Sequence, residues 1–221
     1  MTDSSVCENT VDSTTSTDRK GGGAYFGSRV VVNLMSGEIS RNTNSNSGGG
    51  FYANDYSEVN IHDGMKINEN SCFLDNGSTQ GSGCYLIRCT LKMDGGEICD
   101  NTSVNYGNGG GMYFNYGTAE ITGGEISRNN VRGAGVGIFS NSMTYLEIGG
   151  NAVISENKND RTNESGGGIC SQNGPVEISG NALIENNENN SGGGVFVNNG
   201  AFEIRENAQI INNKSRLAHG S

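Results

Sequence analysis

The residues best suited to catalysis in this sequence are two aspartates and one histidine. Asp63 and Asp94 occupy matching places 31 residues apart, and His62 directly precedes the first of them. Carboxylates and a base in one groove are the groups that enzymes use to cleave polysaccharides. The chain has no Asp-Asp pair, and no Gly-His-Gly or Arg-Ile-Lys segment. We therefore expect a solvated corner at these residues and no enzyme, with a polysaccharide lyase or hydrolase as the alternative.

A second candidate for chemistry is a set of carboxylates that recur at one place of successive repeats. This glutamate column follows Lys92 and comprises Glu120, Glu147, Glu177 and Glu203. Calcium takes about six to eight oxygen ligands, and a flat column supplies few of them, so a solvated face is the main prediction. A stripe for calcium or for a basic partner stays open. We expect no cofactor, with calcium at the glutamate column or at Asp63 and Asp94 as the weaker prediction.

Glycine triplets such as Gly109 to Gly111 are a third feature that could contact a ligand. A phosphate-binding loop also needs a lysine and a following helix, and neither accompanies the triplets. The hydrophobic fraction is 33%, with 36 Gly, one Pro and no Trp. Because glycine and asparagine favour turns over helices, this composition predicts an almost all-β chain in which the triplets form corners.

Charge and hydropathy exclude two classes of partner. The net charge is -10, and no basic cluster is present to bind phosphates, so nucleic acid is not expected. No apolar run reaches about 18 residues, so no membrane span is expected. The N-terminus also lacks the apolar region of a signal peptide. If the protein is exported, we expect this chain to be a segment of a longer one.

The six cysteines show no metal-binding spacing, since no two of them form a Cys-x-x-Cys motif. An even number permits disulfides, although their pairing does not follow from spacing. Single cysteines within predicted strands are more simply interpreted as small buried hydrophobic residues.

The chain repeats itself with a period of about 28 residues. In each repeat an isoleucine is followed three residues later by an asparagine, and these pairs are Ile39/Asn42, Ile67/Asn70, Ile98/Asn101, Ile126/Asn129, Ile154/Asn157, Ile184/Asn187 and Ile210/Asn213. Stacked asparagines can form a ladder of side-chain hydrogen bonds. We therefore interpret these residues as structural.

Two more segments of each repeat have the alternation of a short strand with one buried face. One ends five or six residues before each isoleucine, as in Ala119-Glu120-Ile121, and the other follows the glycines, as in Met112-Tyr113-Phe114. Three strands per repeat predict a parallel β-helix of about seven coils. Leucine-rich repeats, propeller blades and helical repeats have other periods or compositions.

An aromatic column lies at the centre of the strand that follows the glycines. Its members are Tyr25, Tyr52, Tyr85, Tyr113, Phe139 and Phe196, with Cys170 in the one coil that lacks a ring. If the flanking apolar residues point inward, these rings form an exposed ladder that suits sugar rings or a protein partner. Stabilisation of the sheet by cross-strand stacking is the alternative.

Charged residues flank the isoleucine of each repeat and alternate in sign between some neighbouring coils. Glu38, Lys66, Glu97 and Glu125 precede it, while Arg41, Glu69, Asp100, Arg128 and Glu156 follow it two residues later. Opposite charges on adjacent coils are expected to favour the correct register weakly.

The combination of "GGG" before an apolar strand with "GGEISRN" or "GNALIENN" resembles the right-handed parallel β-helix repeats of bacterial surface and adhesin-like proteins. It is also similar to the polymorphic outer-membrane protein repeat, in which a Phe-x-x-Asn motif corresponds to Ile-x-x-Asn here. The resemblance spans residues 21 to 213. It implies a pectate-lyase-like superfold, an extracellular or cell-surface location, and adhesion to a host or environmental glycan or glycoprotein.

These observations predict one solenoid domain with short ends. Residues 1–20 are expected to be a polar linker or cap, residues 21–213 the parallel β-helix, and residues 214–221 a tail. The predicted function is a non-catalytic binding module, and a structural stalk remains the third possibility. The aromatic column is the predicted binding surface.

Overall fold

A computed structural model of the chain describes residues 1–12, 20–73, 79–159 and 164–216. These ranges contain strands, turns and bends, and none of their residues is helical. No helix suited to crossing a membrane is therefore found in this part of the chain.

The described residues form 26 strands, most of them short. The first thirteen are β1 (Ser4–Cys7), β2 (Thr10–Val11), β3 (Ala24–Phe26), β4 (Val31–Leu34), β5 (Gly37–Ser40), β6 (Thr43–Asn44), β7 (Phe51–Ala53), β8 (Glu58–Ile61), β9 (Met65–Asn68), β10 (Ser71–Cys72), β11 (Thr79–Gln80), β12 (Cys84–Cys99) and β13 (Thr102–Ser103). The others are β14 (Gly107–Asn108), β15 (Met112–Ser127), β16 (Ile138–Asn141), β17 (Tyr145–Ile148), β18 (Val153–Ser155), β19 (Ile169–Ser171), β20 (Val176–Ile178), β21 (Leu183–Glu185), β22 (Glu188–Asn189), β23 (Val195–Val197), β24 (Phe202–Ile204), β25 (Gln209–Ile211) and β26 (Lys214–Ser215).

All of the pairings between these strands are parallel and join neighbouring coils. One 18-stranded sheet wraps around the solenoid, and short strands at the corners form separate smaller sheets. The large sheet has three faces, which we call the first, second and third sheets. The first sheet contains β3, β7, β16, β19 and β23, the second β4, β8, β17, β20 and β24, and the third β1, β5, β9, β18, β21 and β25. The long strands β12 and β15 run through all three sheets, because their corners keep strand geometry. The chain is thus a parallel β-solenoid of about seven turns, which confirms the predicted fold class.

The core consists of apolar columns that run along the solenoid. The isoleucines of the repeat stack in register, and the column extends from Val6 through Ile39, Ile67, Ile98, Ile126, Ile154 and Ile184 to Ile210. Ile39 through Ile184 are buried. Each buried isoleucine stabilises the fold by about 1.5–3 kcal/mol relative to an exposed one. Since every inward position is filled, a low hydrophobic content is sufficient.

The asparagines of the repeat form the predicted ladder. The backbone N–H and the Nδ2 of Asn101 both donate to Oδ1 of Asn129, each at 3.0 Å. Nδ2 of Asn129 donates in turn to the Ile98 carbonyl at 3.0 Å. The same three bonds join each successive pair from Asn42 to Asn213. The ladder thereby satisfies buried backbone groups at the corner that follows the third sheet.

The first residues of the chain add one further rung to this ladder. Strand β1 pairs with β5, which places Val6 beside Ile39. Asn9 then donates to Oδ1 of Asn42 from both its backbone N–H and its Nδ2. Within the predicted linker or cap, residues 1–12 therefore continue the solenoid, whereas residues 13–19 lie outside the described ranges.

The residue before each ladder asparagine adopts a left-handed backbone, whether it is charged or, as at Asn186 and Asn212, itself an asparagine. For Arg41, Asp100 and Arg128, φ lies between 52° and 57°. Coil-to-coil ion pairs join Arg128 to Asp100 at 3.1 Å and Lys66 to Glu97 at 3.2 Å. All four side chains are substantially exposed, so each pair contributes about 0–1 kcal/mol.

The six cysteines are free thiols in the structure. Five of them are buried, namely Cys72, Cys84, Cys89, Cys99 and Cys170. They therefore act as small core residues, as the sequence indicated.

Candidate functional site

The aromatic column stacks as predicted, but its predicted exposure is wrong for most of its members. Consecutive ring centroids from Tyr52 through Tyr85 and Tyr113 to Phe139 lie 4.7 to 5.0 Å apart. These four side chains are only 6–7% exposed. Tyr25, at the N-terminal end of the column, is 48% exposed, and Phe196 is partly buried.

The rings are buried because they cover one another and because corner residues pack against them. Their spacing equals the rise of one coil, so each face is occupied by the next ring. Ala134 and Ile87 belong to the same apolar cluster. Burial also raises the pKa of the Tyr85 and Tyr113 hydroxyls. The aromatic column is therefore a second core and not a free ladder for sugars.

The glutamate column is continuous and exposed in part, but counter-charges occupy one end of it. The residues in register are Lys92, Glu120, Glu147, Glu177 and Glu203. Arg205 contacts Glu177 at 2.7 Å and Glu203 at 2.8 Å. The Tyr145 hydroxyl donates to Glu177 at 2.7 Å, and this bond raises the pKa of Tyr145 to about 12.

Neither the glutamate column nor the two aspartates assemble a group of cation ligands. Within the ranges that the structure describes, no three His, Cys, Asp or Glu side chains converge in the manner of a metal site. Parallel stacking explains this for the column, because successive carboxylates point the same way instead of toward a common centre.

Asp63 and Asp94 lie in an open cleft at the corner between the second and third sheets. This corner cleft has a volume of about 500 Å³ and crosses four coils. Its polar side chains are Asp63, Lys66, Asp94, Glu97, Thr122, Glu125 and Asn151. The cleft thus unites both aspartates with three residues from the predicted charge stripe.

Glycines form much of the floor of the corner cleft. A Cβ at Gly95 would lie 2.6 Å from the Asp63 nitrogen, and one at Gly123 would lie 2.3 Å from the Asp94 carbonyl oxygen. Neighbouring coils therefore approach too closely for side chains at these positions. The recurring polar-Gly pattern in Asp63-Gly64, Asp94-Gly95-Gly96 and Thr122-Gly123-Gly124 was the sequence signal for the cleft.

A hydrogen bond between an imidazole ring and a carboxylate lies beside the corner cleft. Nδ1 of His62 lies 3.0 Å from both carboxylate oxygens of Asp94, and the Asp94 side chain is 62% exposed. Deeper along the cleft, Lys66 pairs with Glu97, and Glu125 contacts Arg128 at 3.5 Å. Asp63 has no ion-pair partner among the described residues.

The cleft can therefore accept hydrogen bonds at several carboxylate oxygens and donate them from an ammonium, an amide and a hydroxyl group. Its excess of carboxylates over cations disfavours anionic ligands. An open, solvated site of this kind suits reversible binding of a polar, uncharged molecule.

Comparisons with protein-family models, with curated proteins and with solved structures gave no match.

Proposed function

We propose that this protein is a non-catalytic, surface-exposed module that binds a neutral glycan in the corner cleft. The observation that carries the proposal is the cleft itself, in which Asp63, Asp94, Glu97 and Asn151 line one open groove. Sugar hydroxyls donate to carboxylate oxygens and accept from amide and ammonium groups, so the lining matches a polyhydroxylated ligand.

The shape of the cleft supports a chain-like ligand over a small metabolite. Four successive coils contribute to its lining, and coils are spaced about 4.8 Å apart. The groove therefore extends along the solenoid axis and repeats similar groups at each step. A linear oligosaccharide presents its hydroxyl groups with a comparable regularity.

Hydrolysis is the second candidate, and the His62–Asp94 pair is the observation that favours it. An imidazole held by a carboxylate is a common general base. Catalytic carboxylates are usually tuned by burial or by a close second carboxylate, whereas Asp94 is largely solvated. Binding without turnover is for this reason the function we propose.

The surface location belongs to the same proposal. It is supported by the resemblance of the repeats to those of bacterial surface proteins. It is also supported by the solenoid architecture, which presents a long lateral surface to a ligand.

Glycan binding can be tested with an array of neutral cello-, xylo-, manno- and chito-oligosaccharides and the full chain. The test variant combines Asp63→Asn with Asp94→Asn, which keeps size but removes two charges. Asp100→Asn is the matched control outside the cleft. We expect at least tenfold weaker binding for the double variant and little change for the control. Unaltered binding by the double variant, or no binding by the wild type, would contradict the proposal.

The same samples distinguish binding from turnover. The bound oligosaccharides are incubated with the wild type and with His62→Ala, and new reducing ends are measured. We expect none in either sample. Release of reducing ends that depends on His62 would instead establish the hydrolase.

A further inference from the structure

A second surface column alternates arginine and tyrosine at the corner between the first and second sheets. Its members, one per coil, are Arg29, Tyr56, Arg88 and Tyr116, which we call the arginine–tyrosine column. The backbone N–H of Tyr56 donates to the Arg88 carbonyl at 2.9 Å, which shows that these corners are stacked. The Arg29 guanidinium lies 5.6 Å from the Tyr56 ring centre, and that of Arg88 lies 5.8 Å from the Tyr116 ring centre.

Unlike the aromatic column, this column is open to solvent. Tyr56 is 67% exposed and Tyr116 is 48% exposed. Exposed aromatic side chains that recur along one line of a surface are a mark of ligand binding. The arginine–tyrosine column therefore has the accessibility that was predicted for the aromatic column.

Backbone geometry shows that folding does not require these residue types. All four members adopt positive φ between 52° and 63°, which is unfavourable for large side chains. Later coils place Ser142 and Asn199 at the same corner with φ of 59°. Asparagine tolerates this conformation best. The corner therefore accepts smaller polar side chains, and arginine and tyrosine are not needed to turn it.

The charge of the column differs from that of the rest of the molecule. The whole chain carries -10, yet this corner presents two guanidinium groups. Arg88 is paired with Asp55, whereas Arg29 has no carboxylate partner among the described residues. The corner therefore offers a local site for an anion on an otherwise acidic protein.

We propose that the arginine–tyrosine column binds an anionic polysaccharide that carries carboxylate or sulfate groups. A guanidinium binds such groups through two parallel hydrogen bonds, and exposed tyrosine rings stack on the apolar faces of sugars. Arginine recurs at every second coil, a spacing of roughly 10 Å. This periodicity suits a polymer with regularly placed charges. The site goes beyond the neutral-glycan cleft, because it uses another corner and a ligand of opposite charge preference.

An acidic peptide fits this surface less well than a polysaccharide. Peptides often bind by adding a strand to a free sheet edge. In these interior coils, β7, β8 and the long strand β12 each pair with a neighbouring strand on both sides. Their backbone groups are therefore already used, and only side chains remain for a ligand to contact.

The test measures binding of polygalacturonate and of dextran sulfate to the full chain by calorimetry at two salt concentrations. One variant combines Arg29→Gln with Arg88→Gln. The other combines Tyr56→Asn with Tyr116→Asn, because asparagine occupies this corner in a later coil and preserves the fold. Arg128→Gln is the control, since it removes an exposed arginine from a different corner. We expect each double variant to bind at least tenfold more weakly and the control to bind like the wild type.

Three results would overturn this proposal. The first is a wild type that binds neither polymer. The second is equal weakening by Arg128→Gln, or unaltered binding by the tyrosine variant, either of which would indicate unspecific attraction. The third is competition by polyglutamate as strong as by polygalacturonate, which would indicate an acidic peptide. The cleft variant Asp63→Asn with Asp94→Asn is expected to bind both polymers normally, so failure of the neutral-glycan proposal would be seen separately.

Discussion

At the scale of single residues, the asparagine ladder shows how one side chain can bond two backbone groups and the side chain of the next rung. Oδ1 of Asn129 accepts from two groups of Asn101, and its Nδ2 donates to Ile98. All of these groups are buried or lie at the edge of the core. An aspartate could not donate to the carbonyl, and a leucine would leave every one of these partners without a bond. The residue type is therefore set by hydrogen-bond chemistry.

Replacing Asn129 by alanine is expected to destabilise the protein by roughly 3 kcal/mol or more, since each buried group left without a partner costs about 1–3 kcal/mol. Urea unfolding followed by circular dichroism measures the change. Asn207→Ala is the control, because Asn207 makes an exposed side-chain bond to Asn181 at 3.3 Å and its loss should cost less than about 0.5 kcal/mol. Similar losses for the two variants would contradict the assignment of the ladder as a main source of stability.

At the scale of the coil, the first and third glycines of each triplet have different structural roles. The first glycine, as at Gly109 with φ of 66°, adopts the left-handed backbone that turns the corner. The third faces the ladder, because a Cβ at Gly111 would lie 3.1 Å from Nδ2 of Asn129 and 2.7 Å from the Gly137 carbonyl oxygen. A Cβ at the middle glycine Gly110 would lie 2.6 Å from the Val136 carbonyl oxygen. Other coils nevertheless carry Ser82 and Val136 at the middle position, so the corner can adjust to a side chain there.

Gly111→Ala is therefore expected to destabilise the fold by about 1–3 kcal/mol through overpacking against the ladder. The matched control is Ser82→Gly at a middle position, for which we expect a change within about 1 kcal/mol. Thermal unfolding of both variants measures the difference. Equal melting temperatures would show that the corner can relax and that the third glycine is not required.

The coil is also the scale at which the sequence was most informative. Register, strand positions and the ladder could be predicted, because Ile126 and Asn129 recur with their partners at a nearly constant period. The rung at Asn9 was missed because Val6 takes the place of isoleucine. Exposure of the aromatic column could not be predicted from alternation. Alternation places Tyr113 on the face opposite Met112, but it does not show that corner residues from other coils close over that face.

Corner geometry explains the remaining differences between prediction and structure. The cleft depends on how closely Gly95 and Gly123 let adjacent coils approach, and such distances do not follow from a repeat pattern. The arginine–tyrosine column does not stand out in the sequence because two residue types alternate in it. Its members lie three residues before Val32, Val59, Leu91 and Ala119 and recur at the same spacings, but no single residue type marks them.

At the scale of the whole molecule, a continuous core keeps most thiols from ionising. Burial raises the pKa of Cys72 and Cys170 to about 12 and that of Cys89 to about 11. In the unfolded chain a cysteine ionises near a pH of about 8.5. Above that pH the unfolded state holds fewer protons than the folded state. The free energy of unfolding must therefore fall as pH rises, until the folded thiols ionise as well.

We predict a steady loss of stability between about pH 8.5 and 9.8, below the range in which tyrosine and lysine ionise freely. One thiol that stays protonated in the fold contributes at most about 1.4 kcal/mol per pH unit. Urea midpoints measured across this range under reducing conditions give the slope. A variant with Cys72→Ala and Cys170→Ala should be less stable at pH 7, because it loses core volume, but its stability should fall less steeply with pH. An unchanged slope in that variant would show that ionisation of these two thiols does not drive the alkaline loss of stability.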